Sequence, residues 1–266
     1  MRILLPPSEA KNPGGRGRPL NRRATPLDQA QPLDQARQAT LQALARLIED
    51  PAGAAEALLL PDSVAGSALA QNAAVLSSAT MPAIRRYAGV VYSGLAVDAL
   101  SVPAQRLAGR ELLIFSGLFG VLRGADGVPN YRVPAKAVLP GLGVASTYWR
   151  PILTGLLPAM LGRAGLIVDL RSSDYASMWQ PAPASPQARR LVTVRVLSRR
   201  PNGSYGVISY ASKLAKGRLA GQLLERSAAH EPARTVEAVA ETWIGLGGRD
   251  AQPGPARLGC LLELIE

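Results

Sequence analysis

The 266-residue chain holds one cysteine, Cys260, and one histidine, His230. A single cysteine excludes a disulfide within the chain, and the two residues together cannot build a Cys/His zinc centre. No metal and no cofactor is therefore expected. A Ser-His triad would have to use His230, in Ala-Ala-His-Glu-Pro ahead of a helical stretch, where a solvated connection is the plainer reading. No apolar run approaches the ~20 residues that cross a bilayer, and Met1–Pro7 is too short for a signal-peptide core. No membrane partner is expected, and a reducing cytoplasm is the expected compartment. Neither Gly-x-x-x-x-Gly-Lys-Ser/Thr nor a Gly-x-Gly-x-x-Gly after a strand occurs, which speaks against an ATPase or a Rossmann dehydrogenase. No Gly-x-Ser-x-Gly elbow occurs either.

Acidic residues are also few: 19 Asp and Glu face 30 Lys and Arg, a formal net charge of +11. That balance favours a polyanionic partner, whether nucleic acid, nucleotide or phosphorylated metabolite. Lysine itself is scarce, limited to Lys11, Lys136, Lys213 and Lys216. In a chain that otherwise uses arginine, each of these is a candidate for a specific ammonium role; chance survival is the alternative.

The hydrophobic fraction of 47% is enough for a sizeable core, and no compositional break divides the chain, so one domain over 1–266 is expected. Apolar spacing predicts helices over 33–49, 63–78, 211–226 and 234–244, with another from near Ala145 through Trp149 to Leu161 that bends or restarts at Pro151 or Pro158. Strands are predicted at 2–5, at Leu166–Val168 and at the tail from Leu258 to Ile265. Val192, Val194 and Val196 alternate opposite Tyr205, Val207 and Ile208 across Asn202-Gly203, a hairpin signal. Two further apolar runs, Val90–Tyr92 and Leu112–Phe115, each stop at a Ser-Gly turn, Ser93-Gly94 and Ser116-Gly117. Both are expected to be strands ending at one edge of one sheet, where ligands bind in open α/β folds; ordinary strand-to-helix turns are the alternative. The fold class is α/β, with a central mixed sheet flanked by helices.

Several constellations could carry chemistry. A basic, Gly-rich loop with Arg16, Arg18, Arg22 and Arg23 follows Lys11. Arg123, Tyr131 and Arg132 follow the second Ser-Gly turn. Leu139-Pro140-Gly141-Leu142-Gly143 fits the hairpin of a helix-hairpin-helix element, with Gly141 and Gly143 presenting amides to a DNA phosphate; a Pro-Gly loop before a helix explains it as well. Lys213 and Lys216 lie ~60° apart on one helix, in its first turns, where they oppose its dipole unless they serve an anion. A solvated basic face is the alternative. Asp169, Asp174 and Tyr175 lie beyond a strand end, where an acid could orient a lysine, hold a ribose hydroxyl or act as a general base, or where Asp174 simply caps a helix.

Taken in order, Leu5-Pro-Pro-Ser-Glu-Ala-Lys11, Val91-Tyr-Ser-Gly-Leu95, Phe115-Ser-Gly-Leu-Phe-Gly-Val-Leu-Arg123, Tyr131-Arg132, Trp149, Asp169-Leu-Arg-Ser-Ser-Asp-Tyr175 and Tyr210-Ala-Ser-Lys-Leu-Ala-Lys-Gly-Arg218 resemble the YaaA family of peroxide stress proteins, from residue 1 to about 225. The resemblance implies a compact α/β domain of the "cantaloupe" type with a basic cleft and a helix-hairpin-helix-like element. It also implies binding of double-stranded DNA with little sequence preference and a part in limiting iron-driven oxidative damage. Lys11, Arg123, Tyr131, Arg132, Asp174, Lys213 and Lys216 match its motif positions and are expected to line the cleft. The rival expectation is an enzyme that uses the same cleft on a nucleotide, nucleoside or related phosphorylated small molecule, with Lys11, Asp174 and Lys213 as candidate catalytic groups.

Overall fold

The structure is a computed structural model that describes residues 1–20, 31–199, 204–254 and 258–265. Arg22, Arg23 and the Asn202-Gly203 turn lie outside those residues. Its centre is a mixed sheet whose order is Asp250–Gly254, Cys260–Ile265, Leu191–Arg199, Ile167–Asp169, Arg2–Leu5, Leu112–Ser116 and Gly120–Arg123, with Tyr205–Gly206 on the Leu191–Arg199 strand. The strands from Cys260–Ile265 through Leu112–Ser116 run parallel, and antiparallel partners close both edges.

Both faces of the parallel centre are covered, which explains why its strands read as unbroken apolar runs. Ile3, Leu5, Leu112, Ile114, Val168, Val194 and Val196 enter one core, together with Leu219 and Leu223 of the Ser209–Ala228 helix. Leu4, Leu113, Phe115, Ile167 and Leu191 enter the other, against Trp149, Leu153, Leu157 and Leu161. That second helix, Ala145–Leu161, continues without a break through Pro151 and Pro158. The expected helices at 33–49, 63–78, 211–226 and 234–244 appear as Gln31–Leu47, Asp62–Ala73, Ser209–Ala228 and Val236–Gly245. The tail strand also forms; of the hairpin, Tyr205–Gly206 pairs antiparallel with Ser198 and Arg199, whereas Val207 and Ile208 lie outside any strand.

Two expectations fail. Val90–Leu95 is a helix, not a strand ending at Ser93-Gly94. Its β-branched start suggested a strand, but the segment packs on the Ser209–Ala228 helix so closely that a Cβ on Gly94 would stand 2.3 Å from the Leu214 carbonyl oxygen. Tertiary contact overrode local propensity. The second failure is the helix-hairpin-helix. Leu139–Gly143 is the turn of a short ribbon, Val138–Leu139 with Gly143–Val144, and residues 129–137 ahead of it contain no helix. Pro129 and Pro134 deny that stretch helical backbone hydrogen bonds. Only the second half of the expected motif, the Ala145–Leu161 helix, is present.

Candidate functional site

Parallel strands put their carboxyl ends on one edge of the sheet, and the chain leaves three of them there in polar turns. Pro6–Lys11 follows the first strand, Ser116-Gly117 follows Leu112–Ser116, and Leu170–Tyr175 follows Ile167–Asp169. The Ser116-Gly117 turn is a tight reversal into Gly120–Arg123. A Cβ on Gly117 would stand 2.5 Å from the Val133 carbonyl oxygen, so glycine here admits residues 133–134 of the chain itself. That contact brings Tyr131 and Arg132 over the edge.

Ser116 Oγ accepts the Leu118 and Phe119 amides at 3.2 and 3.0 Å and lies 2.6 Å from Tyr131 Oη. With both lone pairs occupied, the serine must donate to Tyr131. Tyr131 then donates to Tyr87 Oη, 2.6 Å away. The proton order of this buried chain follows from counting donors and acceptors. Burial keeps the Tyr87 and Tyr131 hydroxyls protonated far above the ordinary phenol range, Tyr131 despite its two hydroxyl partners.

Lys11 lies against this chain, its ammonium 4.3 Å from the Tyr131 ring centre and 5.4 Å from that of Tyr87. Its Nζ donates to the Ser8 carbonyl at 3.0 Å. Loss of hydration lowers the ammonium pKa to about 7; Glu9 opposes the shift, and the neighbouring Arg132 and Arg86 add to it. Arg86 is fully buried and donates to the carbonyls of Asn12, Gly14, Ala79 and Val128, which ties down the loop after Lys11. Asn72 clasps the Arg132 backbone from both sides, at 2.8 and 3.0 Å.

Glu9 and Arg132, charged neighbours of Lys11, line a cavity of about 220 Å³ together with Lys136, Asp174, Tyr175 and an apolar wall that includes Leu58, Leu59 and Pro134. Arg132 pairs with Glu9 at 3.4 Å and Lys136 with Asp174 at 3.0 Å. Asp169 and Arg171 form a buried bidentate pair at 2.7 and 2.9 Å, and Arg171 also donates to the carbonyl of the cavity residue Tyr175 at 3.2 Å. Burial alone would raise the Asp169 carboxyl; the Arg171 charge and hydrogen bonds, with Lys216, hold it below the usual range. Lys216 Nζ donates to the Arg171 carbonyl at 3.2 Å, and desolvation lowers its pKa, with Asp169 opposing.

The expected site residues thus divide. Lys11, Tyr131, Arg132 and Asp174 converge, and Lys216 braces the same edge from behind. Lys213 is exposed on its helix: the ~60° between the two lysines suffices to turn one inward and leave the other in solvent. Arg123 pairs in register with Leu113, at the end of the sheet away from Ser116. Gly141 and Gly143 sit in the ribbon turn, outside the cavity lining. Sequence reasoning passed over Asn72, Tyr87 and Arg86, isolated polar positions whose roles come only from long-range contact. Among the described residues, no three His, Cys, Asp or Glu side chains gather as a metal site would require, and no helix is long and apolar enough to cross a membrane.

A half-buried lysine against tyrosine rings, an aromatic hydroxyl chain and paired charges at the carboxyl ends of parallel strands mark the polar edge of an α/β protein. Residues 1–242 match the family described as "Peroxide stress protein YaaA". A UPF0246 protein of Streptomyces coelicolor is 39% identical over 261 residues, covering 97% of this chain and 95% of that one. UPF0246 proteins of Corynebacterium efficiens and Corynebacterium glutamicum (strain R) are 38% and 36% identical, covering 83% and 90% of each chain. The chain belongs to the YaaA family of peroxide stress proteins.

Proposed function

We propose that the protein is an enzyme-type member of its family, whose carboxyl-edge cleft takes a nucleotide, nucleoside or related small anionic molecule, with Lys11 exchanging a proton with it. The observation that carries this reading is the placement of the Lys11 ammonium against two buried tyrosine rings, with its charged neighbours Glu9 and Arg132 lining a cavity. Polymer binding does not require a desolvated lysine, since a phosphate is neutralised equally well at the surface. A lysine whose pKa is about 7 is divided between amine and ammonium at neutral pH, the condition that suits a general base or acid. Arg132, held by Asn72, and Asp174 would position the ligand.

Duplex DNA binding is the second reading, favoured by the net charge of +11 and by the exposed Lys213 and Arg218 on one helix. It uses a different surface. Such binding should weaken on the order of a thousandfold between ~50 and ~200 mM salt if six or more phosphates are contacted.

Amine-specific acetylation mapped by mass spectrometry separates the two. Under the enzyme reading, 5′-mononucleotides protect Lys11 and leave Lys213 reactive. Under the DNA reading, a duplex protects Lys213 and leaves Lys11 unchanged. Failure of every mononucleotide to protect Lys11 contradicts the first reading.

A further inference from the structure

The cavity lined by Glu9 and Arg132 is mixed in a way that narrows its ligand. We infer that it receives a planar heteroaromatic base, with the ring against Leu58, Leu59 and Pro134 and its polar edge met by Tyr175, Arg132 and the Glu9 and Asp174 carboxylates. This rests on the reading of the cleft as a nucleotide or nucleoside site and specifies which part of the molecule the cavity holds.

Charge supplies the first argument. Both cations in the lining already face carboxylates, Arg132 with Glu9 and Lys136 with Asp174. A phosphate placed here would meet two acids and no unpartnered cation in the lining. A base edge alternates donors and acceptors, and such an edge can engage both members of each pair: carboxylates accept from exocyclic or ring N–H groups, and guanidinium donates to ring nitrogens or carbonyl oxygens.

Tyr175 supplies the second. It is 8% exposed and lines the cavity, and its hydroxyl, buried behind the cavity surface, has no hydrogen-bond partner. The Ala135 backbone acts on it only as a donor would, lowering its pKa, so the phenolic proton is left without an acceptor. An unpaired buried hydroxyl costs about 1–3 kcal/mol, a cost that a ligand acceptor would remove. Burial, with Glu9 and Tyr131 nearby, keeps this phenol protonated and therefore a donor.

Leu59 supplies the third. It holds a left-handed backbone, φ 53°, unusual for a bulky residue, and its side chain is 58% exposed. That backbone belongs to the cap of the Pro51–Ala57 helix, closed by Leu59 N–H to Glu56 and Leu60 N–H to Ala55, but it leaves a large apolar side chain in water beside a polar cavity, which suits a face awaiting a ring. Size agrees as well. At about 220 Å³ the cavity is smaller than sites for drug-sized ligands, and suits a base more than a whole nucleoside triphosphate.

Isothermal titration of the full-length protein with adenosine, guanosine, cytidine and uridine, against ribose 5-phosphate, tests the inference. At least one nucleoside should bind where ribose 5-phosphate does not. Tyr175→Phe should weaken that nucleoside five- to tenfold while leaving the melting temperature unchanged or slightly raised, because the hydroxyl it removes has no partner in the free protein. Leu59→Ala, the control for the ring face, should weaken it as well. Two results overturn the base assignment: no nucleoside binds, or Tyr175→Phe binds as tightly as wild type. If ribose 5-phosphate binds and protects Lys11 while nucleosides do not bind, the base assignment fails and the wider reading of the cleft stands.

Discussion

Lys11 and Lys213 occupy opposite kinds of ground. The first lies on the carboxyl edge of the sheet, pressed against Tyr131 and Tyr87 and flanked by Arg86 and Arg132. The second projects from the exposed flank of Ser209–Ala228, close in sequence to the exposed Tyr205 and Tyr210. Four lysines in a strongly basic chain look alike on paper. The difference lies in what surrounds them: one region withdraws water and so adjusts a proton affinity, and the other presents charge to solvent. The first can do chemistry, and the second can attract a polyanion.

The largest expected effect comes from the brace under the buried region. Asp169→Ala leaves Arg171 buried without its carboxylate and should cost about 3–5 kcal/mol, a fall in melting temperature on the order of 10 °C. Asp174→Ala at the accessible pair with Lys136 should cost under ~1 kcal/mol. Equal losses in calorimetry would erase the distinction between buried and exposed ground.

Next comes the hydroxyl chain. Tyr131→Phe strands the Ser116 donor and deprives Tyr87 of its partner, and should cost about 1–3 kcal/mol in urea denaturation. A neutral result would mean that the proton order argued from Ser116 is wrong.

Lys11→Met should behave differently, since it removes a charge that resists burial. The folded pKa, about 7, lies below the usual 10.5. Below pH 7 the lysine is protonated folded and unfolded, and wild type bears the full cost. Between about 7 and 10.5 the unfolded chain holds more protons than the folded one, so the cost falls as pH rises. The methionine variant should therefore be more stable by roughly 1–2 kcal/mol at pH 6, with a smaller advantage at pH 9. An advantage that grows with pH would reverse the sign and reject the account. The smallest effect belongs to Lys213→Glu, which should change stability by less than ~0.5 kcal/mol.

Much of this arrangement was legible in the residues. Leu112–Phe115 ending at Ser116-Gly117, Leu166–Val168 leading into Asp169 and the first strand ahead of Lys11 all read as strands ending in polar turns, and these set the carboxyl edge. Val90–Leu95 did not, because a β-branched run looks the same whether it pairs as a strand or packs as a short helix on Leu214. Nor did the division of the lysines, which depends on ~60° of rotation about a helix axis. Asn72, Tyr87 and Arg86 left no periodic signal, since each acts on a residue or loop far away in the sequence. Arg123 was drawn into the cleft by its nearness in sequence to Tyr131, although the reversal at Gly117–Gly120 carries it to the opposite end of the strand.

The central claim is that Lys11 is a desolvated amine poised near neutrality, and the scarcity of lysine makes it directly measurable. A chain labelled with ¹³C-lysine should give side-chain signals from four residues, Lys11, Lys136, Lys213 and Lys216, and Lys11→Met would identify the one of interest. The account predicts that the signal lost in that variant titrates with a midpoint near 7. A midpoint above ~10, the range of a solvated lysine, would contradict it.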